Sequence, residues 1–290
     1  MKKQISIFFI CVCVTCFMQF VSARSIDKIT IFVSISPQKF LVERIGGDRV
    51  FVNVMVGPGQ NPATYEPTPK KMTKLSAADV YFQIGVPFED VWVDVISETS
   101  DTLRMVTCCE SIMDRELEGH THGQIGMHAV HDPHVWTSPR KTKEIARQIF
   151  NVLTALDPLS KEYYLDNYNR LIVNLEKLDA GIRERLQAIN IRYLIVSHPS
   201  WGYYADAYDL VQVPIEQQGK EIQAKALAEL VRFARKEKIR TVFVQKQFNH
   251  AAAEILAREI NARIIELDPL AENYIENLDF VTNEIIRGSR

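Results

Sequence analysis

The stretch "LSKEYYLDNYNRLIVNLEKLDAGIRERLQAI", residues 159–189, restricts the fold more than any other part of the chain. Its apolar residues recur at helical spacing with charges between them, and no glycine interrupts it before Gly181. A helix of roughly thirty residues rises about 45 Å, enough to cross a whole domain. The segment before it, "SPRKTKEIARQIFNVLTALDP", has the same helical pattern. A chain with such an element in its middle must place something at each end of it.

Both flanks alternate between short β-branched runs and helical stretches. Before the helix stand "ITIFVSI", "FVNVMVG", "DVYFQIG" and "LRMVTCC"; after it stand "RYLIVSH", "LVQVPIE", "TVFVQKQ" and "RIIELDP". Continuous apolar runs of this length fit strands buried on both faces, as in parallel sheets. Helical pieces such as "PQKFLVERIGG", "TPKKMTKLSAA" and "EIQAKALAELVRFARKEK" separate them. With 290 residues, 47% of them hydrophobic, each flank has enough material for its own core. The economical architecture is two α/β lobes joined by one long helix, with a cleft between them. The expected division is a leader over residues 1–23, lobes over 24–157 and 191–290, and the linking helix over 158–190.

The leader, "MKKQISIFFICVCVTCFMQFVSARS", has two lysines, an apolar run, and Val21-Ser22-Ala23 as a cleavage site. It reads as a secretory signal peptide. A transmembrane anchor is the competing reading, but residues 5–21 are at the short limit for spanning. Lipoprotein processing fits "CVTC" poorly, and a lipid-anchored form stays open. Three of the five cysteines leave with the leader. Cys108 and Cys109 are adjacent, where a disulfide ring would be strained, and read as small apolar residues ending a strand. The net charge of −2 implies no basic patch and so no nucleic-acid partner.

In open parallel sheets, ligands sit beyond the carboxyl ends of the strands. His198 ends one strand run, Asp268 ends another, and His134 lies in "HDPHVWTSP" just before a helix. Singly, each has an ordinary reading: a polar core histidine, an aspartate organising a turn before proline, a histidine that caps or packs. Together, two imidazoles and a carboxylate on the cleft side suit a borderline divalent metal such as zinc. Upstream, "EGHTHGQIGMHAVHDPH" adds His120, His122, His128 and His131 as auxiliary metal contacts, or as incidental members of a disordered loop.

The motifs "GPGQNPATYEPTP", "AADVYFQIGVPFE", "DPHVWTSPRKTKEIARQI", "VSHPSWGYYADAYDL" and "ELDPLAENYIENL", in this order, cover nearly all of the mature chain. In them the sequence resembles the periplasmic solute-binding proteins of zinc and manganese ABC importers, the ZnuA-like and TroA-like group. The resemblance implies two Rossmann-like parallel-sheet lobes bridged by a rigid helix, with the metal buried between them. It carries ligand roles onto His134, His198 and Asp268, and a histidine at the place of His198 marks zinc-type members, so manganese is the less suited cargo. It implies a periplasmic, monomeric receptor that hands its ion to a membrane permease and catalyses nothing.

One departure stands out. The family's loop after the second strand usually reads P-H-x-Y-E-P, and its histidine is the first ligand. Here the loop is "NPATYEP", with Ala63 at that place and Glu66 nearby in the wall. Its prolines restrict the backbone and make it wall-like, but a methyl group cannot coordinate. Water, a loop histidine such as His128 or His131, or a changed ligand could take the open position. Two other readings compete: a metal-free adhesin or interaction protein on the same fold, and a zinc hydrolase using the open position. Against the hydrolase, no H-E-x-x-H helix and no general base beside the ligands is apparent.

Overall fold

The computed structural model describes residues 28–98, 100–117, 131–190, 192–216 and 222–289. The leader, and with it the expected cleavage site, lies outside them. Among the described residues no helix is long and apolar enough to cross a membrane.

Among the described residues eight strands form two sheets of four. The first holds β1 (Ile29–Val33), β2 (Val50–Val54), β3 (Val80–Gln83) and β4 (Arg104–Thr107) in the order β2-β1-β3-β4. The second holds β5 (Tyr193–Val196), β6 (Val211–Pro214), β7 (Thr241–Val244) and β8 (Arg263–Glu266) in the order β6-β5-β7-β8. Every pairing is parallel. Seven of these strands fall inside the apolar runs read from the sequence, and β2 begins one residue before its run, at Val50. Parallel neighbours need crossovers, and the helices α1 (Ser36–Gly46), α2 (Pro69–Ser76) and α3 (Pro87–Glu98) supply them in the first lobe. The second lobe uses α6 (Gly202–Ala207), α7 (Ala224–Lys236) and α8 (Ala251–Ile260), and the chain closes with α9 (Tyr274–Gly288). Local signals set the ends. Thr68 caps α2 by accepting from the Lys71 amide, and Pro69 opens that helix. Asn261 ends α8 in the left-handed conformation, φ 54°.

Between the lobes run α4 (Pro139–Leu156) and α5 (Lys161–Gln187). The second is the long helix, 27 residues and about 40 Å by its rise. Its buried residues, Tyr164, Asn167, Leu171, Leu175, Leu178, Ile182 and Leu186, recur at steps of three and four and define one face. That face packs on α4, on α1 of the first lobe and on α9 of the second. The Asn167 side-chain amide donates to the Ile45 carbonyl at 2.9 Å, tying the helix to the end of α1. One apolar core therefore runs from the first sheet through α5 to α9, while a smaller cluster fills the outer part of the second lobe.

Cys108 and Cys109 follow β4 and are both buried. Burial pushes the Cys108 thiol well above its ordinary pKa, and the Cys109 thiol donates to the Ile84 carbonyl at 2.8 Å. Both are inert packing residues.

Leu175 lies at the centre of the buried face of α5, wholly shielded from solvent. Leu175→Ala is expected to cost about 2–5 kcal/mol in urea unfolding. Val173→Ala, on the exposed side of the same helix, should stay within about 0.5 kcal/mol.

Candidate metal centre

In both sheets the first strand is flanked by the second on one side and the third on the other. That reversal opens a crevice beyond the carboxyl ends of the strands. The two crevices border one cavity of about 360 Å³. Its first-lobe wall comes from the loop after β2, with Asn61, Pro62 and Ala63, and from Gly85 to Pro87 after β3. Its second-lobe wall comes from His198 after β5, Gln245, Gln247 and Phe248 after β7, and Pro269 and Leu270 after β8. His131, His134 and Trp136, ahead of α4, close one side.

His134 and His198 come together here from opposite lobes. Their rings lie 5.4 Å apart in a T-shaped arrangement. Each is oriented by a carboxylate behind it: His134 Nδ1 is 2.7 Å from Asp132 Oδ1, and His198 Nδ1 is 2.7 Å from Glu216 Oε1. A carboxylate can only accept, so Nδ1 carries the proton in each neutral ring and Nε2 is left with a free lone pair. Carboxylate-backed imidazoles of this kind are how metal-binding histidines are usually held. The Asp132 carboxylate also accepts from the His134 amide at 2.9 Å, and His198 stacks on Phe248 with ring centres 4.0 Å apart.

Asp132 is fully buried, and Arg115 Nε stands 3.4 Å from its other oxygen. The same guanidinium pairs with Asp206 of the second lobe. Gly202 makes room for this: a side chain there would meet Arg115 Nε at 2.2 Å. Glu216 was not picked out by the sequence reading, although strand register explains it. Val196 pairs with Pro214 across β5 and β6, so the second residue beyond each strand end, His198 and Glu216, fall side by side.

The loop carrying Ala63 is built as a wall. The Ala63 amide donates to Asn61 Oδ1 at 2.9 Å, and the Phe88 amide donates to the Pro62 carbonyl at 3.2 Å. Tyr65 packs edge-on against Phe88 at 5.1 Å. Behind the neighbouring wall, buried Glu89 accepts from the amides of Ile84 and Gly85 at 2.9 and 2.8 Å. Burial raises its pKa to about 7, against these hydrogen bonds, which lower it. Ala63 thus lines the cavity that holds the two imidazoles, while Glu66 is exposed and outside the lining.

Asp268 is half-buried at the end of β8. Its Oδ1 accepts from the Leu270 amide at 2.9 Å and from the Gln247 side chain at 3.4 Å. Its neighbours Pro269 and Leu270 line the cavity, and it does not. His131 does line it; His120, His122 and His128 lie outside the described residues. Among the described residues no three of His, Cys, Asp and Glu converge as a metal-holding group.

Residues 31–288 match the family described as ZnuA, zinc-uptake complex component A, periplasmic. The chain belongs to the ZnuA family. That family consists of transport receptors and not of enzymes. A putative metal-binding protein of Treponema pallidum is 28% identical over 278 residues, covering 90% of this chain and 87% of its own length. The high-affinity zinc uptake system protein ZnuA of Bacillus subtilis is 28% identical over 254 residues, 84% of this chain and 79% of that protein. A crystal structure of ZnuA superposes with a TM-score of 0.86 at 37% identity, covering 91% of this chain and all of that one.

Burial lowers the pKa of His198 below its ordinary 6.5, and the hydrogen bond to Glu216 works against that shift. A folded value below the unfolded one means that the neutral ring favours the folded state above about pH 6.5, and that this contribution fades as pH falls. NMR titration should place His198 below 6.5. Glu216→Gln, which removes the opposing charge, should move it lower still.

Proposed function

We propose that the chain is the extracytoplasmic receptor of an ABC importer and that it captures zinc in the cavity between its lobes for delivery to a membrane permease. The observation that carries this is the pair His134 and His198, delivered from different lobes to one cavity and each backed by a carboxylate. Neutral imidazoles suit zinc better than they suit manganese, which prefers oxygen donors. The zinc-uptake family and the zinc-uptake protein of Bacillus subtilis support the same cargo. Asp268 is the proposed third ligand, with His131 and the histidines at 120, 122 and 128 as auxiliary contacts. The signal peptide over residues 1–23 and periplasmic action belong to the same reading.

Two imidazoles with few alternatives leave little redundancy. His134→Ala and His198→Ala should each abolish tight zinc binding in calorimetry, and wild type should prefer zinc in competition with manganese. Wild-type affinity in either variant, or tighter manganese binding, overturns the proposal.

Ala63 occupies the place where this receptor type usually supplies a histidine. Its loop is anchored at Asn61 and Phe88, so a side chain placed there should be held in position without extra ordering cost. Ala63→His is expected to tighten zinc binding at least about tenfold, or about 1.4 kcal/mol. Unchanged affinity with an intact fold would mean that this loop does not serve the metal.

A further inference from the structure

The cavity is large for a bare ion. At about 360 Å³ it falls in the range of small-molecule pockets, roughly 300–1,000 Å³, whereas a water molecule takes about 30 Å³. Its donors are also few. His131 and Asp90 line the same cavity as His134 and His198, but among the described residues no three of His, Cys, Asp and Glu converge closely enough to hold a metal. Ala63 offers a methyl group on the wall they share.

We propose that the cavity takes its cation as a complex with one small monoanionic amino acid, which supplies donors that the side chains do not. This rests on the metal-binding reading above and narrows its cargo. An α-amino acid chelates through its amine nitrogen and one carboxylate oxygen. With the two imidazoles it completes a four-coordinate zinc; with Asp268 as well the count is five, which zinc also accepts. The chelate would occupy the space in front of Ala63, whose own side chain ends at Cβ.

The wall chemistry selects the charge of the co-ligand. Among the described residues neither lysine nor arginine lines the cavity, Asp90 does, and Asp132 and Glu216 already stand behind the imidazoles. A polycarboxylate would add charge with no cation to receive it, whereas a monoanion leaves the complex with zinc cationic beside those carboxylates. Neutral polar groups, Asn61, Ser200 and Gln247, sit among apolar walls such as Val86, Trp136 and Phe248. Gln247 Oε1 is buried without a hydrogen-bond partner, and its amide nitrogen is turned to Asp268. That oxygen is an acceptor suited to the N–H of a metal-bound amine.

Native mass spectrometry of the protein incubated with zinc alone, L-histidine alone, zinc with L-histidine, and zinc with citrate tests this. The expected result is a protein–zinc–histidine species in the third mixture only, with no citrate adduct in the fourth. Ala63→His should keep the zinc and lose the amino acid, because its own imidazole takes that position. Zinc retained with no co-ligand overturns this inference and leaves zinc binding standing. A citrate adduct overturns the assigned chemical class. Histidine bound without zinc, or retained in Ala63→His, overturns the placement. Zinc bound in none of the mixtures overturns the metal reading and this inference together.

Discussion

The hydrogen bond from the Trp136 indole to the Pro269 carbonyl, 2.7 Å long, joins the two segments on which the site depends. Trp136 follows His134 by two residues, and Pro269 follows Asp268. The Trp136 carbonyl in turn accepts from the Tyr274 hydroxyl at 2.8 Å and from Thr142 at 3.1 Å, and Tyr274 stacks on Phe40 of the first lobe. All of these groups are buried, where an unmade hydrogen bond costs about 1–3 kcal/mol. The lobes are therefore held in register at the base of the cavity by contacts that tolerate little slack. Lys39 and Glu272, 2.6 Å apart at the surface, add a weaker tie.

From this fixed base the cavity rises between two unlike walls. On the first-lobe side, Ala63 and Gly85 are held by backbone hydrogen bonds and a buried carboxylate. On the second-lobe side, imidazole, amide and aromatic groups stand on loops that follow β5 and β7. The imidazoles are aimed by negative charge behind them, an arrangement that fixes their tautomer and leaves Nε2 of each ring for a cation. Asp132 is itself neutralised by Arg115, which also reaches Asp206. The orientation of His134 is thus coupled to a bridge between the lobes.

Much of this was legible in the chain. The eight strands and the linking helix could be read because periodicity and β-branched runs are local properties. The helix observed over Lys161–Gln187 lies within the stretch that the pattern marked, and the single turn ahead of it, Pro158–Ser160, takes up the proline. His134 and His198 stood out by their places before a helix and after a strand. Glu216 did not, because a glutamate at the end of "LVQVPIE" looks like any solvent-facing residue. The pairing of Glu216 with His198 requires knowing that β5 and β6 are neighbours, eighteen residues apart in register.

The sequence by itself determined the alternation of elements, the rigid helix in their midst, the order of the motifs, and the presence at position 63 of an alanine, which has no side-chain donor. These follow from residue type and spacing, which need no partner to be read. Only the tertiary structure decided which groups meet: that His134 and His198 share a cavity, that Asp132 and Glu216 stand behind them, that Ala63 faces them while Glu66 does not, and that Asp268 is turned to its own loop. Such contacts join residues far apart in the chain, and strand order, register and the packing of buried side chains fix them, quantities that no local stretch encodes.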